Sequence, residues 1–361
     1  KHGIKLVLGY TVEGFKEKDN GVEVLLKDNP SLQADMVVLA IGVTPDTVLA
    51  KEAGLELGIK ESIVVNDRME TSVPDIYAAG DAVQVKHYVT GNDALISLAG
   101  PANKQGRIIA DNICGGDSRY LGSQGSSVIK VFDMTAATTG INETNAKKSG
   151  LEVDTVILSP MSHAGYYPGG KVMTMKVVFE KESYRLLGAQ IIGYEGVDKR
   201  IDVLATAIHA GLKATQLKDL DLAYAPPYSS AKDPVNMAGF MIDNIAKGTL
   251  KQWHLEDMDK ISKDKSVVLL DVRTVGEFNR GHMDGFRNIP VDELRERINE
   301  IEKGKPVYLI CQSGLRSYIA SRILEGNGYE TYNFSGGFRF YDAVVNDRAL
   351  IERAYACGMD Y

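Results

Sequence analysis

Cys311 has the setting of a nucleophile. It ends an apolar run, Val307-Tyr308-Leu309-Ile310, and is followed by Gln312-Ser313-Gly314-Leu315-Arg316-Ser317, which opens into helical sequence. A thiol on such a strand-to-helix turn faces converging loop amides and a helix N-terminus, which favour an anion and so a thiolate. Gly314 permits the backbone angles of a cradle, and Arg316 adds a fixed positive charge. A second candidate is Gly80-Asp81, at the end of Ile76-Tyr77-Ala78-Ala79. Gly80 lets a cofactor approach the backbone, and Asp81 can accept a hydrogen bond from a hydroxyl. Taken alone, that dipeptide is equally a common turn.

βα alternation surrounds Cys311. Val267–Val272, Val307–Ile310 and Thr331–Phe334 read as strands, and 291–301 and 317–325 as helices, which predicts a parallel sheet. Gly248–Asp259 reads as a linker. Upstream, Val153–Leu158, Val172–Phe179 and Ala189–Gly193 read as strands, with helices over 202–210 and 232–245, and Tyr224–Pro227 as a loop. Ile63–Val65 and Ile76–Ala79 read as strands, and 101–114 as a helix closed by Gly115-Gly116. The first residues read as a meander: Ile4–Leu8, Thr11–Lys16, Val22–Leu26 after an Asn20-Gly21 turn signal, and Met36–Ile41.

Composition narrows the function classes. The chain has 361 residues with 41 Lys+Arg against 48 Asp+Glu, an acidic balance without a basic run, which predicts no nucleic-acid partner. No apolar stretch approaches the roughly 18 residues of a membrane span, so no membrane partner is expected. Three cysteines, Cys114, Cys311 and Cys357, make no disulfide framework and point to a reducing, cytoplasmic setting. Cys114 and Cys357 read as incidental, and no metal site is expected. The chain starts at Lys1 and lacks any G-x-G-x-x-G, so it is expected to be the C-terminal part of something longer.

The Cys311–Arg316 segment resembles the active-site loop of a rhodanese (sulfurtransferase) domain. Upstream Leu269-Leu270-Asp271-Val272-Arg273, Glu277-Phe278, Gly281-His282-Met283-Asp284-Gly285 and Asn288-Ile289-Pro290, and downstream Gly336-Gly337-Phe338, agree with that family. The resemblance covers about 255–361. It implies that Cys311 carries a persulfide sulfur held by the loop Gln312, Ser313, Gly314, Leu315 and Ser317, with Arg316 beside it. Related phosphatases have a longer loop, so the spacing favours sulfur transfer. Asp271, Arg273, Glu277 and His282 read mainly as scaffold, with an Arg273–Glu277 pair expected.

Thr71-Ser72-Val73-Pro74-Asp75-Ile76-Tyr77-Ala78-Ala79-Gly80-Asp81-Ala82 resembles the C-terminal FAD motif of two-dinucleotide flavoprotein reductases, which gives Gly80 and Asp81 a cofactor-binding role. Val37–Pro45 resembles the strand that closes the NAD(P)H domain. Leu98–Arg107 resembles the helix whose N-terminus faces the flavin, which adds Ala99 and Ala102. Residues 128–245 resemble the dimerisation domain of this class. Within them, His163–Gly170 and Tyr224–Tyr228 resemble coenzyme A-disulfide reductases, implying that Tyr166, Tyr224 and Tyr167 contact the thiol substrate in the partner subunit's site.

The order of units resembles the coenzyme A-disulfide reductase–rhodanese fusions, including NADH-dependent persulfide reductases. This implies a multidomain α/β and α+β protein: the end of an NAD(P)H domain (1–45), the C-terminal part of an FAD domain (46–122), an α+β dimerisation domain (123–246) and an α/β rhodanese domain (255–361). It further implies FAD, NADH, coenzyme A as substrate or ligand, a homodimer, and reduction of coenzyme A persulfide, disulfide or polysulfide with a Cys311 persulfide. Two alternatives stay open: a sulfurtransferase on a dimerisation platform without redox activity, and a flavin-dependent NADH oxidase or peroxidase.

Overall fold

The computed structural model describes residues 3–346, so Cys357 lies outside the described residues. The chain divides into two compact units, one of residues 1–44 with 342–361 and one of residues 45–341.

In the first unit, β1 (Val12–Lys18), β2 (Gly21–Leu26) and β3 (Asn29–Ala34) form an antiparallel meander. Lys18 pairs with Gly21, so the hairpin turn falls at Asp19-Asn20, beside its sequence signal. Ile4–Leu8 and Met36–Ile41 are not strands. A strand needs a neighbour to take its backbone bonds. Among the described residues neither segment has one, and Met36, Val38 and Ile41 are exposed.

The second unit begins with α1 (Val48–Glu52), β4 (Ile63–Val64), β5 (Val83–Lys86), β6 (Asp93–Ala94) and α2 (Ala99–Ile113). β5 pairs in parallel with β4 and antiparallel with β6, over a small core of Met69, Val83 and Val85. Ile76–Ala79, expected as a strand, makes only a single bridge, Glu70 to Tyr77. An antiparallel sheet follows, ordered β7 (Ser127–Val131), β8 (Met134–Gly140), β11 (Leu186–Gly193), β10 (Thr174–Glu180), β9 (Val153–Leu158). α3 (Glu143–Lys148), α4 (Val197–His209) and α5 (Pro234–Ala246) accompany it. Leu204, Ala207 and Ile208 from α4 and Val235, Ala238 and Ile242 from α5 meet Val177, Leu187 and Ile191 of the sheet in one apolar core.

The last domain is the predicted parallel α/β sheet. Its order is β12 (Gln252–Trp253), β16 (Thr331–Phe334), β15 (Val307–Ile310), β13 (Val268–Asp271), β14 (Arg287–Asn288), with all neighbours parallel. The helices are α6 (Met258–Ile261), α7 (Val275–Arg280) and α8 (Leu315–Glu325). Two expectations fail here. Gly248–Asp259 is no plain linker, because it supplies β12, and Trp253 is buried against Phe334 at 4.4 Å between ring centroids. The 291–301 segment is a run of turns ending in a 3-10 turn at Ile298–Glu300. Its apolar spacing records that Val291, Leu294 and Ile301 face the core, not that an α-helical ladder forms.

This domain abuts the free edge of β9. The amide of Ile157 donates to Ser335 Oγ at 3.0 Å, and Gln252 Nε2 donates to both Asp154 carboxylate oxygens at 3.1 Å. Burial pushes the Asp154 carboxyl up, but His254, the Thr155 amide and Gln252 outweigh it and hold it below the ordinary range.

Candidate active site

β15 is apolar and central in its sheet, so it delivers Cys311 to the C-terminal edge of a buried strand with its side chain 1% exposed. The chain then turns through Gln312 and Ser313 to Gly314, whose φ of +100° lies in the left-handed region that disfavours side chains. That turn aims the Gly314 amide at Cys311 Sγ (3.1 Å), and one turn into α8 the Ser317 hydroxyl donates to the same sulfur (3.2 Å). The loop is braced from below. Phe338 N–H donates to Cys311 O at 2.8 Å, and Arg339 N–H to Gln312 O at 3.2 Å. A Cβ at Gly337 would meet Gln312 O and Ser313 N at 2.7 Å, so only glycine lets this brace approach. Leu315 projects into solvent at the loop mouth. With two donors on one sulfur, the loop can hold a thiolate.

The fixed positive charge of Arg316 is paired. Both its terminal nitrogens donate to Glu277 at 2.7 Å. The Arg316 bond pulls the Glu277 carboxyl down to about 2, against burial and with help from Thr274. Glu277 in turn holds the Arg316 guanidinium above its ordinary value. The expected Arg273–Glu277 pair does not form. Arg273 is buried on Asp271, with Nη2 to Oδ2 at 2.7 Å, and its guanidinium lies 3.8 Å from the Phe338 ring centroid. The geometric reason is that Asp271 and Arg273 share one strand end, whereas Glu277 lies on α7, opposite α8. His282 stacks on Phe278 at 3.9 Å and is bound through Nδ1 to the Phe278 carbonyl, a bracing position.

The second predicted site lies where Gly80-Asp81 meets the start of α2. Gly80 N–H donates to the buried Gln105 Oε1 at 2.8 Å, and a Cβ at Gly80 would come within 4.0 Å of Ala102 Cβ. No side chain caps α2 at Leu98, so its first amides are left for another acceptor, while Ala99 and Asp81 are exposed. Small residues, an open carboxylate and an uncapped helix start fit a flavin with a ribityl chain.

The third predicted site is the tyrosine pair. The Tyr166 and Tyr224 hydroxyls lie 2.7 Å apart, and Tyr167 sets its ring edge-on to His163 at 5.6 Å. Tyr224 borders a cavity of about 430 Å³ that Glu195, Lys199 and Tyr228 also line. Beneath it, buried Arg200 donates to Asp233 Oδ2, to the Ser162 carbonyl and to Ser229 Oγ, tying two loops together.

The family model for pyridine nucleotide-disulphide oxidoreductase matches residues 1–106, that for its dimerisation domain matches 126–234, and that for the rhodanese-like domain matches 254–343. The chain thus carries pyridine nucleotide-disulphide oxidoreductase, dimerisation and rhodanese-like domains. It is similar to the reduced CoADR-RHD of Bacillus anthracis, at 46% identity and a TM-score of 0.90 over 94% of this chain and 60% of that one. It is also similar to an NAD-dependent persulfide reductase from A. fulgidus, at 40% identity and a TM-score of 0.82 over 92% and 61%. A Pyrococcus abyssi NAD(P)H sulfur oxidoreductase (CoA-dependent) is 37% identical over 65% of this chain and 52% of its own length. The chain thus spans about half the length of the curated relatives it matches.

In the rhodanese-like domain, two supporting residues escape the sequence reading. Asn333, at the end of β16 and 4% exposed, donates from Nδ2 to Gly314 O at 3.2 Å. Ser335, just before the glycine brace, accepts from the dimerisation-domain sheet. Neither carries a motif. Only its place at a strand end beside the cysteine strand could have flagged Asn333. In the dimerisation domain, the isolated position of Arg200 in α4 gave no hint of its buried role. The sulfur loop, the Gly80-Asp81 turn and the tyrosine pair share no contact residue among the described residues.

Proposed function

We propose that this chain serves the FAD- and NADH-dependent reduction of coenzyme A persulfide, disulfide or polysulfide, coupled to sulfur transfer by Cys311. The observation that carries the reading is the sulfur cradle: Gly314 N–H and Ser317 Oγ both donating to Cys311 Sγ, in a chain that also carries a flavoprotein dimerisation domain. In sulfur transfer, the Cys311 thiolate attacks the outer sulfur of a donor hydropersulfide, the donor's S–S bond breaks, and the donor thiolate leaves with the electron pair. Gln312, Ser313, Gly314, Leu315 and Ser317 shape the pocket that keeps the resulting persulfide from water, and Arg316 fixes the start of α8.

Gly80, Asp81, Ala99 and Ala102 would hold FAD, with Asp81 accepting from the ribityl hydroxyls and the start of α2 facing the ring. Flavin, when bound, supplies two-electron transfer from a nicotinamide to a sulfur–sulfur bond. Tyr166 and Tyr224, with Tyr167 beside them, would donate hydrogen bonds to the thiol substrate in the partner subunit's site, which makes a homodimer the working form. The reading divides the chain as 1–45, 46–122, 123–246 and 255–361, and places the protein in the cytoplasm, where its thiols stay reduced.

The test uses Cys311→Ser in the full chain, with glutathione hydropersulfide as donor and thiocyanate formation from cyanide as readout. Transfer is expected to fall on the order of a hundredfold or more. Undiminished transfer would overturn the role of Cys311. A flavin absorbance band in the purified protein, bleached by NADH, supports the redox half, and its absence would count against it.

A further inference from the structure

The guanidinium that the sulfur loop carries is already occupied. Arg316, in the first turn of α8, gives both terminal nitrogens to Glu277 at 2.7 Å. Glu277 is pinned for this, since Thr274 donates to its Oε2 from the backbone (3.0 Å) and from Oγ1 (2.9 Å). A second arginine at the loop, Arg273, reaches Gln312 Oε1 at 3.4 Å but is committed to Asp271 through three contacts between 2.7 and 3.1 Å. Arg316 and Arg273 thus each have their own carboxylate, while the sulfur itself is served by neutral donors.

That arrangement bears on which sulfur donor reacts. With thiosulfate, the Cys311 thiolate attacks the outer sulfur, the S–S bond breaks, and sulfite departs with the electron pair. The encounter gathers three negative charges at the loop. With a thiol hydropersulfide in its protonated form, the same attack releases a thiolate, the proton stays on the transferred sulfur, and a single charge is present at the reacting sulfurs. A free guanidinium would offset the first encounter far more than the second.

We propose that Glu277 is a specificity-determining residue: by occupying Arg316, it makes the Cys311 loop select thiol hydropersulfides over dianionic donors such as thiosulfate. The proposal rests on the reading of Cys311 as a persulfide carrier. Glu277 acts through Arg316 and does not touch the donor.

The test is the ratio of kcat/KM for thiosulfate to that for glutathione hydropersulfide, measured in the full chain. A ratio is unaffected by any fraction that fails to fold. Glu277→Gln retains the side-chain length and the cap on Thr274 while freeing the Arg316 charge. Its ratio is expected to rise on the order of tenfold, and the gain to shrink at high salt. Arg316→Gln leaves Glu277 charged and unpaired, and its ratio is expected to fall below that of the parent. An unchanged or lower ratio in Glu277→Gln, or a salt-independent one, overturns the proposal. Mass spectrometry of the Cys311 peptide separates the two levels: no added sulfur from either donor in the parent defeats the carrier reading itself.

Discussion

The side-chain amide of Asn333 donates to the carbonyl of Gly314 at 3.2 Å, while the backbone amide of that glycine donates to Cys311 Sγ at 3.1 Å. One left-handed residue therefore carries both the restraint and the donor. The carbonyl and the amide belong to successive peptide units, so restraining the first, together with Ser317 Oγ and the Tyr318 amide, limits how far the second can swing from the sulfur. Asn333→Ala is expected to loosen that restraint and lower sulfur transfer on the order of tenfold, because small displacements of a positioned donor cost rate steeply. Removing a buried hydrogen-bonding group also costs stability, about 1–3 kcal/mol. Iodoacetamide labelling of Cys311 at fixed pH and thiocyanate formation check the first effect, and thermal unfolding the second. Unchanged labelling and transfer would reduce Asn333 to a packing residue.

The Glu277–Arg316 pair gives a stability dependence with a definite sign. The Arg316 bond lowers the Glu277 carboxyl from its ordinary 4.5 to about 2. A group lowered in the folded state contributes stability that is fully present above its unfolded value. The contribution is therefore complete above about 4.5 and is lost as the pH falls from there towards 2. Trp253 is the chain's single tryptophan and is buried in the rhodanese-like core, so its fluorescence reports unfolding of that domain. Glu277→Gln should flatten the acid limb of that transition. Superimposable acid limbs in the two proteins would contradict the assignment.

The cradle was legible in the sequence because its parts are contiguous. An apolar strand, Cys311, a glycine at the turn and a helix start all fall within one short run. The charge state of the loop was not legible, because Arg316 finds its partner on α7, and Arg273, which lies nearer to Glu277 in sequence, is taken by Asp271. The 291–301 segment shows a related limit. Its apolar residues recur as a helix would place them, yet only their burial was encoded, and successive turns achieve it equally well. Met36–Ile41 has the residues of a central strand, but strand formation belongs to a pair and not to a segment.

The tyrosine pair yields a spectroscopic prediction. The hydrogen bond to Tyr166, first among the causes, raises the Tyr224 phenol above its ordinary 10. Tyr166→Phe removes that bond, so phenolate absorbance from Tyr224 should appear at lower pH in a difference titration against the parent. The same variant should slow NADH-driven reduction of coenzyme A persulfide on the order of tenfold if the pair donates to the substrate. A raised group contributes stability below its unfolded value and loses it as pH climbs past the folded one, so the variant should also be less sensitive to alkali. A difference that shows only the lost phenolate of Tyr166, with no phenolate appearing at lower pH, would refute the pairing.

Arg200 offers a test of what holds the tyrosine-bearing loops. It is 1% exposed and paired with Asp233, itself buried, whose other carboxylate oxygen caps α5 through the Val235 amide at 3.0 Å. Arg200→Met removes the guanidinium but leaves the Asp233 charge buried without it, with only Ser229 Oγ still donating to the same oxygen. Breaking one side of a buried pair costs about 3–5 kcal/mol, most of it the stranded charge. Adding Asp233→Asn to the variant removes that charge while keeping an oxygen for the cap, so the double variant should recover a large part of the loss. Thermal unfolding followed by circular dichroism measures both. If the double variant were no more stable than Arg200→Met alone, the cost would lie in the lost bonds to Ser162 and Ser229, and the ion pair would be incidental to the fold of these loops.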